Sequence, residues 1–321
     1  MAMLYCGIDE AGYGPLLGPL SVGVSAFRVG DWNEGDPPPD LWRSLASAVC
    51  KDATGAENRL PIGDSKKLKL SNSLKTRHPL THLERTVLAV LRRTGADVRN
   101  DAQLFETLGA RWGPQRWYGG EAVAMPLASA PGSAGIDANL LGAACTKAGV
   151  EPVLMGCALI DETDFNRRVR EAGTKAAAVG AGVAAHLRLI DALARELSLP
   201  VRVVCDRLGG RTDYRTLLEE ALGRPVKETD RTPASCRYDC GNSLIVIFTP
   251  EADATHLPTA LASMIAKLVR ELAMLRFNRH WSGLLPDLKP TAGYRQDAKR
   301  WLLDASPALS PQDREAMIRI A

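Results

Sequence analysis

Two short apolar runs, each ending in an acid, constrain this chain more than any other feature. Residues 3–9 (MLYCGID) and 201–206 (VRVVCD) are too short for core helices and read as buried strands. Gly12, Gly14 and Pro15 punctuate the turn after the first run, and residues 18–29 (GPLSVGVSAFRV) read as a second strand. The chain therefore opens on an antiparallel hairpin. Further strands are expected over 153–160 and 243–248. Helices are expected near 40–50, over 79–95, over 163–197 with a break near Gly173, and over 257–277. In the last of these, Leu261, Ile265, Leu268, Leu272 and Leu275 make a core-facing stripe. Strands mixed with long helices predict an α/β class: a mixed central sheet with antiparallel first strands and parallel additions, flanked by helices, and a helical C-terminal tail.

Composition narrows the class without naming a function. An apolar fraction of 45% and a charged fraction of 24% are ordinary for a globular chain. A net charge of +3 does not say where a basic patch would sit. The seven cysteines lack framework spacing, which points to a reducing compartment and a cytoplasmic protein. No apolar run approaches the roughly 18–20 residues of a membrane span. Residues 1–14 lack the basic start of a signal peptide, so neither a membrane nor export is expected.

Three groups of residues can carry chemistry. Asp9 and Glu10 close the first strand just before a Gly-rich turn. Asp206 closes the strand 201–206, a favoured ligand position in α/β sheets, although an acid there also caps turns. Ser263, Lys267 and Glu271 stand four apart on the helix 257–277 and line one flank beside its apolar stripe. A Lys–Glu pair at that spacing is commonly a surface pair worth about 0.3–0.5 kcal/mol. Near a buried face, however, the carboxylate needs a metal or a partner. Four converging carboxylates suit hard divalent cations, Mg2+ or Mn2+, which take oxygen ligands. The five histidines have no zinc spacing, Cys236 and Cys240 lack a second ligand pair, and the Gly-rich turn 12–18 matches neither a Walker loop nor a dinucleotide fingerprint.

Taken in order, these motifs resemble the type 2 ribonucleases H, the bacterial ribonuclease HII group. GIDEAGYGPLLGPL at the N-terminus resembles that family's GIDEAGRGPLAGPV, and Asp64-Ser65-Lys66-Lys67-Leu68 stands as its DSKKL element. Residues 160–190 resemble its acid-then-helix stretch, and ASMIAKLVRE at 262–271 resembles its ASIIAKVTRD helix. Gly293-Tyr294 is similar to its GYGT element, and Ser310-Pro311 with Arg314 to its terminal SPxHR. The resemblance implies a ribonuclease H-like fold with Asp9, Glu10, Asp206 and Glu271 as catalytic metal ligands. It implies Gly12, Tyr13, Gly14, Lys66, Lys67, Ser263, Lys267 and Tyr294 on the substrate, with Tyr294 near a ribose whose 2′-hydroxyl marks RNA.

The expected activity is endonucleolytic hydrolysis of RNA in RNA–DNA hybrids, or cutting beside ribonucleotides embedded in duplex DNA, by a monomer. Alternatives are a nucleic-acid-binding protein of the same fold that has lost efficient cleavage, and a nuclease on another structured nucleic acid. The expected layout is a catalytic domain over 1–277, with an insertion at about 100–150, and a helical extension over 278–321 packing on it. Tyr13 stands where the family has Arg, and a phenol cannot replace a guanidinium's fork of donors. Glu271 stands for the family's Asp, and Arg295-Gln296 come after Gly293-Tyr294. The insertion's Trp112, Trp117 and Tyr118 are expected to pack it down rather than to stack on bases.

Overall fold

A computed structural model describes residues 1–33, 35–54, 58–130, 132–209 and 211–320. The strands are β1 (Met3–Ala11), β2 (Leu20–Val29), β3 (Val49–Cys50), β4 (Leu60–Pro61), β5 (Val150–Ile160), β6 (Val201–Asp206), β7 (Lys227–Arg231), β8 (Cys236–Asp239) and β9 (Leu244–Thr249). Seven of them form one sheet in the order β5-β2-β1-β6-β9-β8-β7, and β3 and β4 pair separately. β1 runs antiparallel to β2, β2 antiparallel to β5, and β6 parallel to both β1 and β9. This is the mixed sheet with an antiparallel start that the sequence predicts.

Alternation along β1 divides its side chains between two cores. Met3 and Tyr5 face one side, where the long helix Leu257–Leu284 lies, together with Phe27 and Val204. Leu4, Cys6 and Ile8 face the other, where the helix Ala176–Leu197 lies. Leu261, Ile265, Leu268 and Leu272 of the expected stripe are buried, whereas Leu275 is half-buried. The expected helix over 163–197 is broken where Gly173 turns left-handed (φ +70°), giving Glu162–Ala172 and Ala176–Leu197.

Glycine sets how closely the helix Leu257–Leu284 approaches the sheet. A Cβ at Gly7 would fall 2.1 Å from the Thr259 backbone nitrogen, and one at Gly23 would fall 2.1 Å from the Ala262 carbonyl oxygen. Both obstacles are backbone, which cannot swing aside. Gly23→Ala should therefore destabilise the fold by about 1–3 kcal/mol or more, read from denaturant unfolding. An unchanged midpoint would mean that the helix does not seat there.

Several expectations need correction. The helix begun at Leu257 runs through 277 to Leu284, so a boundary at 277/278 falls inside it. The segment 100–150 is more regular than expected, with helices Asp101–Thr107 and Ser133–Ala148. Its aromatics do pack inward. Trp112 stacks on Phe105 (ring centroids 3.6 Å apart), and buried Trp117 meets Phe277 and Trp281. Buried Asp101 takes both arms of Arg276, at 2.6 and 2.7 Å, tying the segment to the long helix. Ala176–Leu197 is long and apolar enough, by length and composition, to cross a membrane, although most of it is buried against the sheet. His186, Arg188 and Asp191 interrupt its apolar run, which is why it does not stand out in the sequence.

Candidate active site

β1 and β6 run side by side, and both end in acids at the same edge of the sheet. Ile8 pairs with Cys205, so Asp9 and Asp206 come one residue later on neighbouring strands. Glu10 is next along β1. After β9 the chain turns back through Glu251 (φ +53°) into the short helix Ala252–Thr255, which carries Asp253 to the same edge. Asp9, Glu10, Asp206 and Asp253 line one cleft of about 560 Å3.

The carboxyls repel one another in a partly dry setting. Burial raises Asp9 well above the ordinary carboxylate range, and the neighbouring Glu10 raises it further. Burial and then Asp206 push Glu10 up to about 7. Asp206 is raised by burial, and Asp253 by burial and then by Asp206 and Asp64. Lys66 opposes these shifts at Glu10, Asp206 and Asp253. An oxygen-only donor set with surplus negative charge fits a hard divalent cation. Among the described residues, no three such side chains are drawn tightly enough to grip an ion as they stand.

Local structure explains why the other residues are here. Asp64 caps the short helix Ser65–Leu68 by accepting from the Lys66 amide at 2.9 Å. That turn buries Leu68 in the core and aims Lys66 at the acids. Buried Ser65 meets Ser263 at 3.0 Å between hydroxyl oxygens, and Ser263 partly offsets the rise in the Asp9 pKa. Lys67 points largely to solvent and lies 3.8 Å from Asp64.

The Gly-rich turn is held from beneath by two buried guanidiniums. Arg319 donates to the carbonyls of Gly12 (2.6 Å) and Tyr13 (3.0 Å), and Arg270 to that of Ala292 (3.0 Å). Burial, and then the proximity of Arg270, push Arg319 down to about 9, so it stays charged at neutral pH. Gly293 accepts from the Leu16 and Leu17 amides at 2.7 and 3.1 Å, which docks Tyr294, half-exposed, at the cleft. Arg319 carries no motif that sequence reading picks out.

Asp9, Glu10, Gly12, Tyr13, Gly14, Lys66, Lys67, Asp206, Ser263, Lys267 and Tyr294 all line the cleft. Glu271 does not. Its carboxylate is 3.0 Å from Lys267 and 4.0 Å from Lys69, and it lines a neighbouring cleft with Asn72, His78 and Asp297. One helical turn past Lys267 adds about 6 Å along the axis, which carries Glu271 beyond the acids. Asp253, absent from the residues singled out by sequence, lines the cleft instead, as do Asp64 and Glu251. An acid just past the end of a strand adjoining β6 is the signal for it.

The site also predicts a pH dependence. Glu10, at about 7 in the fold against 4.5 ordinarily, keeps its proton on folding. Its contribution to stability is complete below about 4.5 and is lost as pH rises through 7. In chelator, melting should therefore fall between pH 5 and 8. Added Mg2+ should raise it more at pH 8 than at pH 6, since the cation competes with protons for the carboxylates. Equal stabilisation at both pH values would contradict this arrangement.

No protein-family model matches the sequence, and no curated protein matches it. Among solved structures, the chain is similar to the RNase HII of Archaeoglobus fulgidus in its PCNA complex, at 16% identity and a TM-score of 0.42, covering 99% of this chain and 94% of that one. It is similar to the ribonuclease H2 of Pyrococcus horikoshii OT3 at 15% identity and a TM-score of 0.44, covering 98% and 93%. It is also similar to Bst-RNase HIII in complex with Mn2+ at 16% identity and a TM-score of 0.46, covering 99% of this chain and 66% of that one.

Proposed function

We propose that this protein is a divalent-metal-dependent endonuclease of the type 2 ribonuclease H kind. On this reading it hydrolyses RNA paired with DNA, or cuts beside ribonucleotides embedded in duplex DNA. The single observation that carries the reading is the meeting of Asp9, Glu10, Asp206 and Asp253 in one cleft with Lys66, Lys267 and the Gly12–Gly14 turn. The ordered sequence motifs supply the substrate class.

Asp9, Glu10, Asp206 and Asp253 would hold Mg2+ or Mn2+. When bound, such ions polarise a phosphodiester and favour attack by water. The protein's own residues supply the rest. Ser263, held by Ser65, stands beside Asp9 in the cleft. Lys66 and Lys267 face the cleft as cations for phosphate oxygens. Tyr294 offers a ring to a sugar and a hydroxyl to its 2′-oxygen. Arg319 fixes the turn at Gly12 and Tyr13, and Arg270 ties its far end at Leu17 to Ala292.

The deciding experiment is cleavage of three labelled duplexes, with Mg2+ or Mn2+ and with chelator: an RNA–DNA hybrid, a DNA duplex holding one ribonucleotide, and plain DNA. Metal-dependent cuts confined to the ribonucleotide-containing duplexes are expected. Binding without cleavage of any duplex would favour a binding protein that keeps the fold. Cutting of plain DNA would favour another substrate.

A further inference from the structure

The opposite end of the sheet carries a second cleft, of about 450 Å3, which the nuclease reading leaves unused. Arg202 lies at the start of β6, four residues before Asp206, and so about 13 Å along the strand from the acids. It is flanked across the sheet by Tyr5 on β1 and Ile245 on β9. Ile245 pairs in turn with Asp239 on β8, and Arg237 stands two residues before it. The floor of this cleft is therefore one row of side chains across adjacent strands. Met3 and Trp32 wall one side, and the loop Gly241–Ser243, left-handed at all three residues, walls the other.

Arg202 is an unusual occupant for such a place. It is only 7% exposed, and its Nε has no hydrogen-bond partner among the described residues. Its guanidinium carbon stands 6.0 Å from the ring of Trp32. Half-buried Arg237 lines the same cleft, and burial and then Arg237 weaken the hold of Arg202 on its proton. Among the described residues that line the cleft the one acid is Asp239, which already accepts from the Gly241 amide at 2.9 Å. A buried cation facing a second cation costs free energy unless an anion joins them. Two guanidiniums opening on one cleft present parallel N–H donors suited to a phosphate.

We propose that the Arg202–Arg237 cleft binds a phosphate group, with Met3 and Ile245 receiving the apolar part of the molecule that carries it. The carrier is either a free phosphomonoester or a nucleic-acid strand, and one experiment separates them. The site stands apart from the catalytic cleft, so the proposal does not depend on the nuclease reading.

The test is calorimetric titration of the full chain with inorganic phosphate, with adenosine monophosphate and with a single-stranded DNA oligonucleotide, at fixed ionic strength. Saturable binding is expected, weakened about tenfold or more in both Arg202→Gln and Arg237→Gln and unchanged in Lys147→Gln, an exposed residue that lines neither cleft. Binding of adenosine monophosphate would identify a free ligand, and binding of the oligonucleotide alone would identify a strand phosphate. If Arg202→Gln fails to fold, the half-buried Arg237→Gln still decides the matter. Absence of binding by all three probes, or binding as strong in the arginine variants as in Lys147→Gln, overturns the proposal.

Discussion

Asp9→Asn should lower metal-dependent cleavage by about a thousandfold or more, equivalent to about 4 kcal/mol in the barrier, while the protein stays folded. The amide keeps the shape of the side chain, but it removes one of the two carboxylates at the end of β1. Because burial and Glu10 raise the Asp9 pKa, the carboxylate destabilises the metal-free fold at neutral pH. Melting in chelator should therefore hold or rise in the variant even as activity disappears. Circular dichroism and a cleavage time course on the RNA–DNA hybrid measure the two effects separately. Unimpaired turnover would remove the nuclease assignment.

The second large effect is a contrast between two acids. Asp253→Asn should cost about a hundredfold or more in kcat, because it removes a carboxylate from the cleft that holds Asp9, Glu10 and Asp206. Glu271→Gln should change kcat by no more than about threefold, since the carboxylate it removes lies outside that cleft and only loosens its ion pair to Lys267 at the rim. The two substitutions are chemically alike, so any difference reports position. If Glu271→Gln abolishes activity and Asp253→Asn does not, the helical flank marks the true site and Asp253 is a bystander.

Legibility in the sequence tracks burial. β1, β2 and β6 stand out as apolar runs because both their faces are covered, β9 because its half-buried face carries Ile245 and Ile247, and the acids ending β1 and β6 come with the strands themselves. β7, with the sequence KETDR, gives no such signal. It is an edge strand, mostly exposed, and its pairing with β8 asks for no apolar face. Glu271 is misplaced by the sequence because period alone puts Ser263, Lys267 and Glu271 on one flank, and period does not say where along the flank a cleft ends. Asp253 escapes notice for the reverse reason. It lies in a four-residue helix with no periodicity, and only the pairing of β9 beside β6 brings it to the acids. The Arg202 cleft is equally hidden, since an arginine inside an apolar run looks like an exposed strand position until its neighbours are known.

The support that Arg319 gives to the turn at Gly12 and Tyr13 sets an order in time. A ribosome makes the turn among its first residues and adds the arginine 307 positions after Gly12. At about 5–20 residues per second, tens of seconds separate them. Until residue 319 has emerged, the turn lacks the donors that fix its carbonyls, and the growing chain carries its acids without the surface that would present a strand to them.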